Sequence, residues 1–199
     1  DPVGVVALTG LPERDAFALL DLALARGALV VSGAGYRFRH ELLREVVYEE
    51  LLPNERMRLH AAFAMALESR AEAWESDPAG TGAQLAYHWH MAHDVERALP
   101  ASLRAARAAA AGFAFPEAQA FLERALELWA KVPPDRLPSD VDRTTILAEA
   151  AEAAAQAGDA RRSIDFVRSA LAETDPMHDP RRAGVLHHRL AWYLNESGD

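Results

Sequence analysis

His93-Asp94-Val95-Glu96-Arg97-Ala98-Leu99 and Gly158-Asp159-Ala160-Arg161-Arg162-Ser163-Ile164 follow one plan. Each sets an aspartate before a helical stretch, where the carboxylate can accept from first-turn N–H groups that have no partner inside the helix. Each then brings a small residue and an apolar residue to the same two places. Between and beyond them, Ala118, Ala125 and Leu126 return 45 positions later as Ser163, Ala170 and Leu171. Small residues let two helix backbones approach closely. A helix pair built this way leaves an apolar face that the next pair must cover.

Working outward, helical signals fill the second half. Asp94 caps a helix to about Ala111. Pro116 opens another to about Lys131, with Phe121, Leu122, Ala125 and Leu128 facing inward. Val132–Pro138 holds three prolines and is expected to be a linker. Asp140 is expected to cap a helix to about Ala157, and Gly158-Asp159 forms a tight corner before a helix over 160–174. Asp175-Pro176 and Asp179-Pro180 bracket a turn, and a last helix runs over about 181–195. Upstream, Gln84–His93 is a short helix holding Leu85, Trp89 and Ala92. Ala73–Gly82, with Asp77-Pro78 and two glycines, is expected to be a loop. Glu55–Arg70 is a helix with Leu59, Phe63, Ala66 and Leu67 on one stripe.

The first 53 residues differ. Leu11-Pro12-Glu13 starts a helix with its proline near the first turn, Phe17, Leu20 and Leu24 share a face, and Gly27 stops it. Ala28–Val31 is short and apolar, Gly33-Ala34-Gly35 supplies a turn, and Tyr36-Arg37-Phe38 is the return strand of a hairpin. A helix from about His40 follows, with Leu43, Val46, Val47 and Leu51 on one face, ended by Pro53. These signals predict a mostly α chain. A partial winged helix with a short β-hairpin comes first, then tetratricopeptide-like antiparallel helical hairpins stacked as an α-α superhelix. Such repeats usually recur every 34 residues or so, so the wider spacing implies longer helices or linkers. Three parts are expected: a winged-helix module over 1–53, connecting helices over 54–93 and an incomplete repeat array over 94–199.

Composition removes several functions. Among 199 residues there is no cysteine, so disulfides, thiol nucleophiles and Cys-ligated zinc are excluded. The net charge of -9 argues against a general nucleic-acid surface. Arg97, Arg104, Arg107 and Arg124 lie on a helical surface balanced by Glu96, Glu117, Glu123 and Glu127, with no aromatics interleaved to stack on bases. The only lysine, Lys131, stands in Trp129-Ala130-Lys131-Val132-Pro133, so there is no P-loop. No apolar run reaches the roughly 20 residues of a membrane helix, and cytoplasmic residence is expected. Alanine supplies 42 residues, which favours close-packed helices. No Gly-x-Ser-x-Gly turn or paired catalytic carboxylates stand out. His88 and His90 lie on different helix faces and His90 with His93 lacks a third ligand, so no metal site is expected. Of the adjacent His187 and His188, one is expected to pack and the other to be exposed.

The run Tyr36-Arg37-Phe38-Arg39-His40-Glu41-Leu42-Leu43-Arg44-Glu45-Val46-Val47-Tyr48-Glu49-Glu50-Leu51-Leu52-Pro53 resembles the winged-helix end of the switch module in large ATP-binding transcriptional regulators of the LuxR type. These are signal-transduction ATPases with numerous domains, related to the AAA+ class. Arg56, Leu59 and His60 continue the resemblance, as do Ala86–Asp94 and Phe121–Trp129. It implies a longer parent with an upstream P-loop ATPase, which binds ATP and ADP, and a downstream DNA-binding domain, or a cyclase in some relatives. This chain would then be a non-catalytic middle piece without a cofactor of its own. Its repeats would receive a protein, a peptide, a small inducer or a second copy of the chain. A stand-alone interaction scaffold is the alternative.

The resemblance also marks His40 as a sensor of ADP phosphate. Physics agrees with the location. A helix N-terminus favours anions, an imidazole can donate to phosphate, and one charge-assisted bond contributes about 1.5–3 kcal/mol. Arg39 and Arg44 would add positive potential. The plainer role for His40 is a structural one at the hairpin–helix corner.

Overall fold

The structure is a computed structural model that describes residues 11–33 and 35–197, with side chains at 71–73 excepted. Ala34 of the expected turn, and Gly198 and Asp199 at the chain end, lie outside the described residues. The fold is mostly helical with one two-stranded antiparallel sheet. It divides into two compact units. One is the chain up to Ala71 with Met91–His93; the other is Glu72–His90 and everything from Asp94 onward.

In the first unit, α1 (Glu13–Ala25) leads to β1 (Leu29–Ser32), β2 (Gly35–Phe38), α2 (Glu41–Glu50) and α3 (Pro53–Glu68). Gly27, at φ +70°, ends α1 as expected, because that backbone region strains any residue with a Cβ. The hairpin register pairs Leu29 with Phe38 and Val31 with Tyr36. Pro53 does more than stop α2. It sits in the first turn of α3, where its missing N–H costs nothing, while Glu55 reaches back to accept from the Leu52 N–H at 2.9 Å. The expected stripe on α3 holds only in part: Leu67 is buried and Ala66 half-buried, but Leu59 and Phe63 are exposed and Ala64 is buried in their place. Val46 and Val47 of α2 are also exposed.

The second unit holds most of α4 (Ala71–Ser76), then α5 (Pro78–Met91), α6 (Val95–Ala111), α7 (Phe115–Trp129), α8 (Arg143–Gln156), α9 (Ala160–Ala172) and α10 (Pro180–Ser197). The loop expected over 73–82 is therefore wrong. Asp77 accepts from the Gly80 N–H at 2.8 Å and Pro78 takes the first helical position, so α5 begins inside that segment. Gly82 is helical for a packing reason. A Cβ there would meet the Ala105 Cα at 3.0 Å, so the α5 and α6 backbones touch where glycine stands. The α8 cap is likewise Asp142, not Asp140. Its Oδ1 accepts from the Thr145 N–H at 2.7 Å and the Thr145 hydroxyl at 2.8 Å. The expected linker contains a short 3₁₀ turn, Pro134–Arg136, and anchors itself through buried Val132.

From α6 to α10, each helix packs on the next in chain order. The interior is built of alanines around Leu99, Ile146, Val167, Leu186 and Tyr193, all nearly inaccessible. Ala118 and Ser163 are equally buried, as are Ala125 and Ala170, so the small positions noted in the sequence are the contact positions. Alternate helices are tied by side chains. Arg107 of α6 pairs with Glu149 of α8, Arg162 of α9 with Glu123 of α7, and Arg182 of α10 with Asp142.

Three helix-to-helix corners use one backbone device. His93 (φ 58°), Phe113 (φ 61°) and Gly158 (φ 82°) take the left-handed conformation. The next residue's N–H then bonds back to a carbonyl five residues earlier: Asp94 to Trp89, Ala114 to Ala109 and Asp159 to Ala154. That same residue starts the following helix. Asp94 and Asp159 cap it through their carboxylates, at 3.0 and 3.1 Å. Ala114 has no side chain with which to do so.

Candidate functional site

His40 stands at the N-cap position of α2 in extended conformation. Its side chain is exposed and makes no capping bond, so the plainer capping role falls to its backbone: its carbonyl accepts from Leu43 at 3.1 Å. Arg39 and Arg44 are not gathered around it. Arg39 Nε donates to the Gly27 carbonyl at 2.9 Å, bracing the end of α1, and Arg44 Nε donates to Glu41 at 2.6 Å. Both arginines are thus engaged by other partners.

Two other residues of the resemblance have clear structural work. Arg56 donates to the carbonyls of Leu51 and Glu49, at 3.0 and 2.6 Å, and lies over the Tyr48 ring. The Tyr48 hydroxyl is 3.0 Å from His60 Nε2. Burial holds the His60 imidazole below its usual pKa, since the charged form is the harder one to desolvate. Together these side chains fix the corner between α2 and α3.

Three of the four arginines read as one surface have separate duties. Arg97 lies over the buried Trp89 ring at 4.6 Å and beside Asp94, Arg104 lies over Trp74 at 5.1 Å, and Arg107 pairs with Glu149. Trp89 is a core residue, as expected. His187 and His188 are both exposed, contrary to the expectation that one packs. Among the described residues, no group of three or more His, Asp or Glu side chains is arranged to hold a metal ion. No helix among them is long and apolar enough to cross a membrane.

A concavity lies on the α6, α8 and α10 side of the second unit. A cavity of about 420 Å³ has Ala106, Ala110, Phe115 and Leu122 among its apolar walls, with Arg107, Glu149, Glu152 and Arg189 at its polar positions. A second cavity, of about 350 Å³, continues it along α8 and α10 and shares Thr145, Ala148 and Arg189 with the first. Arg189 lies 3.8 Å from Glu152, and Arg107 with Glu149 forms a separate pair. Arg107 meets Glu149 at 3.1 Å, Arg189 donates to the Ala148 carbonyl at 3.2 Å, and Tyr193 donates to Glu152 at 3.2 Å. Burial first, and then the Glu152 charge, push the Tyr193 phenol up to about 12, so it remains a neutral donor across ordinary pH. Sequence reasoning expected a concave receiving surface on the repeats but did not place this groove or bring its residues together. Its one available signal was the recurrence of small residues, which indicated where helices touch and not where they part.

Comparison with protein-family models, with curated proteins and with solved structures finds no match for this chain.

Proposed function

We propose that this chain is the non-catalytic receiving and relaying part of a cytoplasmic, ATP-dependent bacterial transcriptional regulator of the LuxR type. On this proposal α6–α10 are tetratricopeptide-like hairpins that receive a ligand. The unit containing β1, β2 and α2 belongs to a nucleotide switch whose ATP or ADP is held upstream. Ligand binding then shifts a two-state equilibrium by its differential affinity for the two states. The observation that carries the proposal is the two-part groove across alternate helices α6, α8 and α10, in a unit distinct from the one bearing His40. The resemblance of residues 36–53 supplies the ATPase connection. The two ion pairs in the groove, Arg107–Glu149 and Arg189–Glu152, support ligand reception, because both are partly exposed and a charged ligand can exchange partners with them at little cost.

The test is the parent protein. A P-loop ATPase encoded upstream, with ADP retention weakened by His40→Ala, supports the relay. A roughly 10-fold or greater loss of retention is expected, the scale of one charge-assisted bond. Unchanged retention in that variant removes the sensor role from His40. A parent without any nucleotide-binding segment leaves the stand-alone scaffold as the better description.

A further inference from the structure

The last helix repeats the plan of α8 with one difference. Gly158-Asp159, after α8, recurs in the sequence as Gly198-Asp199, 40 positions on and after α10. At that spacing Ile146 of α8 corresponds to Leu186 of α10 and Ala153 to Tyr193, and all four are buried. Thr145, Ala148 and Glu152, which line the larger cavity, correspond to Val185, His188 and Trp192. The three α8 residues stay partly open although α7 and α9 both pack on α8. A further helix stacked in the same way would therefore leave their counterparts uncovered. Yet Val185 and Trp192 are apolar, and they are 50% and 45% exposed.

Two other features of α10 go unused within the chain. Gly184 lies beside the Val185–Trp192 stripe. A helical glycine is less stable than alanine, and a Cβ at Gly184 would meet nothing within 4 Å, so the chain's own packing does not require it. The end charges are also the wrong way round for a lone helix. Arg181 stands in the first turn and Glu196 in the last, and the helix dipole disfavours each. Both are exposed, and neither has an ion pair among the described residues.

We infer that α10 is the contact helix of a homodimer, crossing α10 of a second copy antiparallel about a twofold axis beside His188. In a twofold contact, residues equally far from the axis on opposite sides of it face each other. Trp192 then seats on the partner's Gly184, and Val185 packs on the partner's Ala191. Arg181 reaches the partner's Asn195 and Glu196, so each disfavoured charge meets its opposite. One arrangement uses the exposed indole, the open space at the glycine and both end charges. It goes beyond the relay and does not depend on it.

The experiment is sedimentation equilibrium of the whole chain from about 1 to 200 μM, the range that brackets micromolar affinity. One helix per copy makes a contact smaller than a standard interface, so a micromolar dissociation constant is expected. Gly184→Leu fills the space taken by the partner's indole with a better helix former. It should melt no lower than the wild type and weaken the dimer at least about tenfold, a combination that a residue serving only the fold does not give. Arg181→Glu and Glu196→Arg should each weaken the dimer about tenfold, because a symmetric dimer contains the contact twice. Combined in one chain, the two reversals should restore it. A chain that stays monomeric through this range, a dimer indifferent to Gly184→Leu, or a double reversal no tighter than either single one overturns the inference. None of these results bears on the relay, which nucleotide retention in the parent tests.

Discussion

At the scale of residues, conformation separates positions that composition treats alike. Gly158 and Phe113 share one corner geometry, and only the glycine suits it. Phe113→Gly is expected to stabilise the second unit by about 1–2 kcal/mol, the cost of holding a side chain in the left-handed region. Gly158→Phe should lose a similar amount, and thermal melting of the pair checks both signs. Gly82 is the opposite case, an α-helical glycine needed for closeness. Even a methyl would meet the Ala105 backbone. Gly82→Val is expected to cost about 1–3 kcal/mol through overpacking, read as a fall in the denaturation midpoint. From the sequence, the glycines at 80 and 82 suggested a loop, because glycine's freedom is legible locally and its role in close approach depends on a partner far along the chain. Asp94 and Asp159 were legible as caps since their partners lie three residues away; Asp142 displaced Asp140 because Arg182 and Thr145, on two helices, both converge on it.

At the scale of elements, the corner between α2 and α3 carries a pH dependence. The imidazole of His60 is held below its ordinary pKa in the folded chain by burial, so the unfolded chain binds the proton more readily. Stability from this corner is then complete above about pH 6.5, the unfolded value, and falls as pH drops through the lower folded value. Amide protection factors over residues 51–56, rates corrected for the pH dependence of intrinsic exchange, should fall on acidification through that window. In His60→Gln that fall should vanish; its persistence would assign the effect to other groups. The elements themselves were largely readable: the hairpin, the helices after Asp94 and the Gly158 corner follow from local turn, cap and periodicity signals. The groove was not, because Arg107 meets Glu149 and Arg189 meets Glu152 across separate helices. Nothing in the local pattern of any one helix specifies such a meeting.

At the scale of the whole molecule, the two units differ in how much apolar surface they bury. Among the described residues, the first unit's fully buried apolar side chains are Ala16, Leu20, Ala64 and Leu67, while Val31, Leu42, Val46 and Phe63 remain exposed. The second unit buries Trp89, Leu99, Ile146, Val167, Leu186 and Tyr193 in a lattice of alanines. Apolar burial contributes roughly 25 cal/mol per Å², and regions with few buried contacts open at lower free energy than the core. Calorimetry of the chain is therefore expected to show two transitions, the first unit melting at the lower temperature. Amides of β1 and β2 should exchange well before those of α8. Leu20→Ala should lower only the first transition and Ile146→Ala only the second, each by about 2–5 kcal/mol. A single transition displaced equally by either variant would mean that the units fold as one cooperative body. A relay depends on this difference in stability, because an element of low local stability is the one whose state a bound nucleotide or a neighbouring ligand can most readily bias.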